Sequence, residues 1–425
     1  MTADDIKRIG SGAHPMVDAK TAQDGVPGAR AFNATAKYKI LQSCSSRSWG
    51  GLEMQALLEC TQLKARGHDV TLLCTPKSRL EEEAIRACIE TLPLELRASS
   101  YPFALDVLRR FLTRRGIEII HAQISQDLPL LVAAAVFIPA SPPIVLTKRV
   151  GSFISKRDPF HRWLYRHVSL VVAISEVIRK NVLDTCPIDT NRVVTLFDGV
   201  DLDRFDPDRI DPTALRRELG LGEGDFIIGM VGRFSPGKGH EEFLEAAKMI
   251  RSSLPEVKFL VVGEPSYGEE EYGKRIYESA RLLTPEGTVI FSGFRADIPE
   301  VMAALDILAF PSHAEAFGDV LIEAMAMKLP VVSTNCDGVL DIVIDGETGI
   351  QVPPRDARAL AHALMQLIQD DQLRRIFGEA ARRRVEKLFD LRQRTEKMEG
   401  FYAQVSNPMS KSVVPVETSH AKSGV

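Results

Sequence analysis

The stretch DFIIGMVGRFSPGKGHEEFLEAAKMI, residues 225–250, decides the fold. Its first seven residues are the short apolar run of a strand buried on both faces. A loop with Gly232, Gly237 and Gly239 follows, and then apolar residues at helical spacing. Strand, loop and helix make one βα unit. Downstream, VKFLVVG, TVIFSGF, DILAFPS and PVVSTN repeat the strand pattern with helical runs between. Upstream, YKILQSC, HDVTLLC, IEIIHAQ, PPIVLTKRV and LVVAISE do the same. Strands alternating with helices imply right-handed βαβ units and a parallel sheet.

The two series are too long for one core: the chain has 425 residues, and single cores stop growing well below that size. An acidic segment rich in Pro and Gly, 198–225, separates them. The expected architecture is α/β, with two Rossmann-like, doubly wound parallel-sheet domains facing across a cleft. The expected divisions are a disordered tail over 1–36, an N-terminal domain over 37–200 and a linker over 201–224 with one short helix. A second domain over 225–390, a C-terminal helix over 391–406 and a disordered tail over 407–425 complete the chain.

Composition excludes some functions. A net charge of −4 argues against nucleic acid as partner. The six cysteines form no C-x-x-C pair, which argues against zinc and for a reducing cytoplasm. MTADDIKRIGSGAHP lacks the apolar core of a secretory signal. LPLLVAAAVFIPA, 128–140, is too short to span a bilayer and carries Pro129 and Pro139, so a core helix is expected. The expected location is cytoplasmic, with peripheral contact to the membrane's inner face left open.

Ligands of open parallel sheets bind outside the carboxyl ends of the strands. Arg233 and Lys238 lie in such a loop, five residues apart. A guanidinium and an ammonium there make a diphosphate clamp, or else two solvated charges on a turn. A second loop lies in AEAFGDVLIEAMAM, 314–327. Gly318 lets the backbone turn, and a helix starts near Asp319 with its unpaired N–H groups and positive dipole facing a phosphate. Glu315 precedes this helix and Glu323 lies one turn inside it. Carboxylates accept paired hydrogen bonds from vicinal hydroxyls. Two of them flanking an anion site suit a nucleotide-sugar; a capping carboxylate and a solvated helix face are the plainer reading.

VGRFSPGKG, VVGE, FSGF, AFPSHAEAFGDVLIEAMAMKLPVVST and DGETGIQVPP, in that order, resemble the retaining GT-B glycosyltransferases of family 4. WGGLEMQALLECTQLKARGHDVTLLC, IIHAQ, VVAISEVIRKNV and DGVDLDRF match in position within the first half. The resemblance covers roughly residues 37–405. It implies a group 1 transferase that uses a nucleotide-diphosphate-sugar donor and a glycan or lipid-linked acceptor. The first domain would bind acceptor and the second donor, with no metal or other cofactor and with net retention. By resemblance, Arg233 and Lys238 bind the diphosphate, Glu315 the donor sugar and Glu323 the ribose. Phe317 and Gly318 offer backbone amides, Phe294 of FSGF contacts donor, and Gly51 faces the diphosphate across the cleft. His121 sits where a family histidine approaches the reacting sugar. SSRSWGGLE, HAQISQD and TKRVGS look most like lipopolysaccharide-type transferases.

Three features depart from the family or stand outside it. Pro265 replaces a glycine, and Asp337-Gly338 with Asp341 replaces Gly-Gly and Glu, which bears on donor identity. SKRDPFHRWLYRHV, 155–168, sets Arg162 and Arg166 beside Trp163, which suits an anionic membrane surface or a solvated amphipathic helix. Lys148 and Arg149 end a strand near the cleft and suit an acidic or phosphorylated acceptor. The D-x-D pairs at Asp201 and Asp206 fall in the linker and are not read as metal sites. A nucleotide-sugar epimerase and a non-catalytic sugar-nucleotide-binding protein share the layout and stand as alternatives.

Overall fold

The computed structural model describes residues 36–96, 101–222, 224–265 and 268–407. Apart from Ala36 and Asn407, the expected tails lie outside these residues.

The first sheet has seven strands: β1 (Lys39–Cys44), β2 (Asp69–Cys74), β3 (Glu90–Pro93), β4 (Ile119–Ala122), β5 (Ile144–Lys148), β6 (Val168–Ala173) and β7 (Val193–Thr195). Their order is β3-β2-β1-β4-β5-β6-β7, all parallel. The second sheet has six: β8 (Ile227–Val231), β9 (Lys258–Val262), β10 (Val289–Gly293), β11 (Ile307–Phe310), β12 (Val331–Thr334) and β13 (Gly349–Val352). Its order is β10-β9-β8-β11-β12-β13, again all parallel. Both are doubly wound, as the alternation predicts. Three strands escape that alternation, β3, β7 and β13, and each is a sheet edge of three or four residues. An edge strand is buried on fewer sides, so it has no need of a long apolar run.

Each sheet reverses direction beside its first strand, at β1/β4 and β8/β11. A crevice opens there, outside the carboxyl ends of the strands. Arg233 and Lys238 follow β8, and Glu315 to Gly318 follow β11, so topology alone sets these two loops side by side.

The chain crosses between the sheets twice, and the two crossings bond each other. Val200 N donates to Phe389 O at 2.9 Å and Leu391 N to Val200 O at 3.1 Å. A Cβ on Gly199 would lie 2.8 Å from Leu391 Cα, so this contact excludes any side chain. Phe197, Phe317 and Phe389 pack around it with ring centres 5.5–5.8 Å apart. The helix Leu391–Ser406 then returns to the first sheet, N-capped by Asp390, whose carboxylate accepts from Arg392 N. It buries Met398, Phe401 and Tyr402 in one core with Ile40, Leu72 and Val145. The linker carries one helix, Thr213–Glu218, and Leu128–Ala135 is the buried core helix its sequence predicts.

Candidate functional site

Four elements converge on the crevice. The loop after β8 needs left-handed backbone at Gly237 (φ 86°) and Gly239 (φ 84°). At Gly239 a Cβ would fall 2.2 Å from Pro311 O, so the loop presses directly on the one after β11. His313 N donates to Gly237 O at 2.8 Å and fixes that register. As a result Lys238 Nζ meets Glu315 Oε2 at 2.5 Å, both groups partly buried. Arg233 is exposed and has no carboxylate partner among the described residues.

Gly318 adopts φ 118° and ψ 64° and opens the helix Asp319–Ala326, which has no side-chain cap. A helix start without a side-chain cap leaves first-turn N–H groups available and favours an anion. The side chain of Phe317 turns away into the aromatic cluster, leaving only its backbone for a ligand. The N-terminus of the helix Gly51–Ala65 faces this from the other domain. A Cβ on Gly50 would lie 3.6 Å from Arg233 Cζ, and one on Gly51 would lie 3.3 Å from Asp319 Oδ2. Two glycines there keep the crossing narrow.

Carboxyls behind this mouth are unusual. Burial pushes Glu323 up to about 7, against the pull of Arg204. Burial, reinforced by Asp198, Glu323 and Glu315, raises Asp319 well above the carboxylate range, and Arg149 opposes it. Asp319 Oδ1 is enclosed without a hydrogen-bond partner. Sequence reasoning read Asp319 only as a helix start, although it lay inside the quoted stretch.

Phe294 follows β10 and is 41% exposed. The Arg79 guanidinium sits 5.0 Å from its ring centre and 5.3 Å from that of Trp49, bridging the domains. Arg79 carried no sequence signal, and Trp49 was quoted only within the stretch that precedes Gly50-Gly51.

Three site expectations need correction. His121 is fully buried. Its Nδ1 lies 2.7 Å from Tyr402 Oη and 3.0 Å from Glu59 Oε1, and its Nε2 lies 2.7 Å from Thr147 Oγ1. With both nitrogens engaged below the crevice floor, it does not reach a sugar there. Two positions on, Gln123 lines the adjoining pocket and donates to Gln42 Oε1 at 2.6 Å. Arg149 is not a free cation and is 5% exposed, whereas Lys148, 7% exposed, lines the adjoining pocket. Arg149 is ion-paired to Asp198, which excludes it from any membrane surface. Asp341 is likewise occupied, accepting from Glu176 N at 2.8 Å across the domains.

These groups form one buried network under the crevice. Glu59 holds Arg394 at 3.0 Å, and Arg394 also meets Asp198 at 3.3 Å. Burial acts to raise Glu59, but Arg394, His121 and Arg149 together hold it well below the usual range. Of the basic-aromatic helix Pro159–Arg166, Leu164 and Tyr165 are buried, Trp163 is half-buried, and Arg162 and Arg166 are exposed. The linker's acidic pairs are engaged by arginines: Asp203 by Arg392 of the C-terminal helix, and Asp206 by Arg209 at 3.0 Å.

The fold and the crevice define a two-domain GT-B protein. Residues 49–204 match the family described as Glycosyltransferase Family 4, and residues 211–384 match Glycosyl transferases group 1. The chain belongs to the group 1 glycosyltransferases, with both of their domains. It is 32% identical over 241 residues to the capsular polysaccharide biosynthesis glycosyltransferase CapM of Staphylococcus aureus, covering 55% of this chain and 60% of that one. The chain spans between 40% and 63% of the length of the curated relatives named among its matches. Among solved structures, a glycosyltransferase from Rickettsia africae superposes with a TM-score of 0.80 at 23% identity, over 88% of this chain and 99% of that one. Anabaena Alr3699/HepE in complex with UDP-glucose superposes with a TM-score of 0.72 at 25% identity, over 86% and 99%.

Proposed function

We propose that the protein transfers a sugar from a nucleotide-diphosphate-sugar to a glycan or glycolipid acceptor, with retention, in the synthesis of cell-surface polysaccharide or lipopolysaccharide. The observation that carries this is the Lys238–Glu315 pair, set with Arg233 at the uncapped start of the helix Asp319–Ala326. A cation pair facing free backbone N–H groups suits a diphosphate. The carboxylate that Lys238 now holds suits the hydroxyls of the attached sugar.

In the reaction the bond from the anomeric carbon to the β-phosphate oxygen breaks. Negative charge grows on that phosphate, and Arg233, Lys238 and the amides at Gly318 stabilise it without a metal. Preorganised donors of this kind are typically worth ~10²–10³ in rate each. The acceptor oxygen attacks from the face the phosphate leaves and gives its proton to the departing phosphate. Glu315 orients the sugar, and Glu323 holds the ribose. Closure of the two domains keeps water from the donor.

The relative named for capsular polysaccharide synthesis and the neighbour solved with UDP-glucose support this class of donor and product. Val150, Phe153 and Ile154 project as exposed apolar side chains, with exposed Arg157 and Arg162 close by in sequence. That combination supports peripheral binding to an anionic membrane; no helix among the described residues is long and apolar enough to cross one.

The test is a thermal-shift screen of UDP, GDP and ADP with their sugars, repeated on Lys238→Ala. Ligand binding to the folded state raises the melting temperature by mass action. One nucleotide series should stabilise the wild type and fail to stabilise Lys238→Ala. No stabilisation by any of them contradicts the proposal. Incubation of that donor without acceptor should leave it unchanged, whereas an epimerase would convert it.

A further inference from the structure

Beside the donor crevice lies a pocket of about 690 Å³ lined by first-domain residues. Four cations line it, Arg47, Lys148, Arg149 and Lys156. Two are already neutralised, Arg47 by Glu95 at 2.6 Å and Arg149 by Asp198. The other two are not. Among the described residues, neither Lys148 nor Lys156 has a carboxylate within ion-pair distance. Lys148 is only 7% exposed, and its Nζ donates to Ser125 Oγ at 3.2 Å. Burial, with the Lys156 ammonium adding to it, lowers Lys148 to about 8.

A cation withdrawn from water and set beside a second cation is unfavourable unless an anion joins them. The pocket's own acid cannot serve, because Glu95 is engaged by Arg47. The donor diphosphate has its own clamp in the other domain. The pocket's size is that of a small-molecule site, and the hydroxyls of Ser45, Ser125 and Ser152 on its walls suit a sugar.

We propose that this pocket seats a compact oxyanion, phosphate or carboxylate, carried by the acceptor glycan, between Lys148 and Lys156. The inference deepens the transferase reading and rests on it for the word acceptor. An anion there would restore the full charge of Lys148 and fix the acceptor's position relative to the crevice.

The experiment is calorimetric titration of the full chain, saturated with whichever nucleoside diphosphate binds, so that Arg233 and Lys238 are occupied. The probes are glucose 6-phosphate, glucuronate and glucose. At least one anionic sugar should bind about tenfold or more tighter than glucose, as charge-assisted hydrogen bonds require. Preference for the phosphate or for the uronate supports the proposal and names the source of the anion. Lys148→Gln and Lys156→Gln should each remove that preference, and Lys148→Arg should keep it. Retained nucleotide binding and melting temperature show that each variant folds. Anionic sugars binding no tighter than glucose, or a preference that survives both glutamine variants, overturns the proposal. The titration repeats with inorganic phosphate on Lys238→Ala without nucleotide. There, loss of nucleotide binding leaves the anion pocket readable, so failure of the donor site and failure of this pocket are told apart.

Discussion

His121 Nδ1 lies 2.7 Å from Tyr402 Oη, although 281 positions separate the two residues. The contact ties β4 to the last described helix, and both partners are fully buried. The second crossing of the chain thus locks onto the first domain through polar groups under the crevice.

The first expectation follows from that lock. Tyr402→Phe removes one of the two partners of His121 Nδ1, leaving Glu59 as the other, and should cost about 0.5–1.5 kcal/mol. Arg394→Met removes the buried cation shared by Glu59 and Asp198, leaving them to His121 and Arg149, and should cost up to about 3–5 kcal/mol. Chemical denaturation reads both. His121→Asn should likewise lower stability while leaving donor affinity within about threefold, because additive, distant sites rarely couple more. A donor affinity that collapses with stability intact would return His121 to the reacting sugar.

That histidine also marks where sequence stops being informative. The parallel sheets were legible because central strands, buried on both faces, are written as continuous apolar runs. Arg233, Lys238, Glu315 and Gly318 were legible because adjacent strands at a reversal bring their loops together. His121 was not, because a strand end alternates sides. Its side chain points below the floor, where Thr147 and Tyr402 hold it, while Gln123 lines the pocket. Arg79 and Asp319 acquire their roles only from the opposing domain, which no local pattern encodes.

Glu323 supplies a pH dependence. Its folded value is raised to about 7 by burial, so the folded state holds a proton that the unfolded chain releases near 4.5. Its contribution to stability is therefore complete below about pH 4.5 and lost as pH rises through about 7. Glu323→Gln keeps a neutral side chain throughout. The melting temperature of the variant minus that of the wild type should rise between pH 4.5 and 7, and then level. A flat difference would deny the raised value.

His240 gives the opposite sign. Burial, then Lys238, lowers it to about 4, and its ring packs 4.6 Å from that of Phe234. Its stabilising contribution is present above about pH 6.5 and lost as pH falls through about 4. His240→Phe should flatten this acid limb of a stability–pH profile, and an unchanged limb would place the sensitivity elsewhere.

Arg79 lies between Trp49 and Phe294 and closes the domains. Two cation–π contacts are worth about 1–2 kcal/mol together at exposed sites. Arg79→Ala should loosen the ligand-free chain, read as a larger radius of gyration by small-angle scattering and faster hydrogen exchange at the crevice. An unchanged radius would show that other contacts, such as Ser175 Oγ to Ala316 O at 2.6 Å, suffice.

The central claim is that the diphosphate sits between Arg233, Lys238 and the start of the helix Asp319–Ala326. A crystal structure with the stabilising nucleotide-sugar measures this directly. It should place a β-phosphate oxygen within hydrogen-bond reach of Lys238 Nζ and of the Gly318 or Asp319 amide, with the sugar against Glu315. A diphosphate bound away from those groups, with the Lys238–Glu315 pair undisturbed, would contradict it.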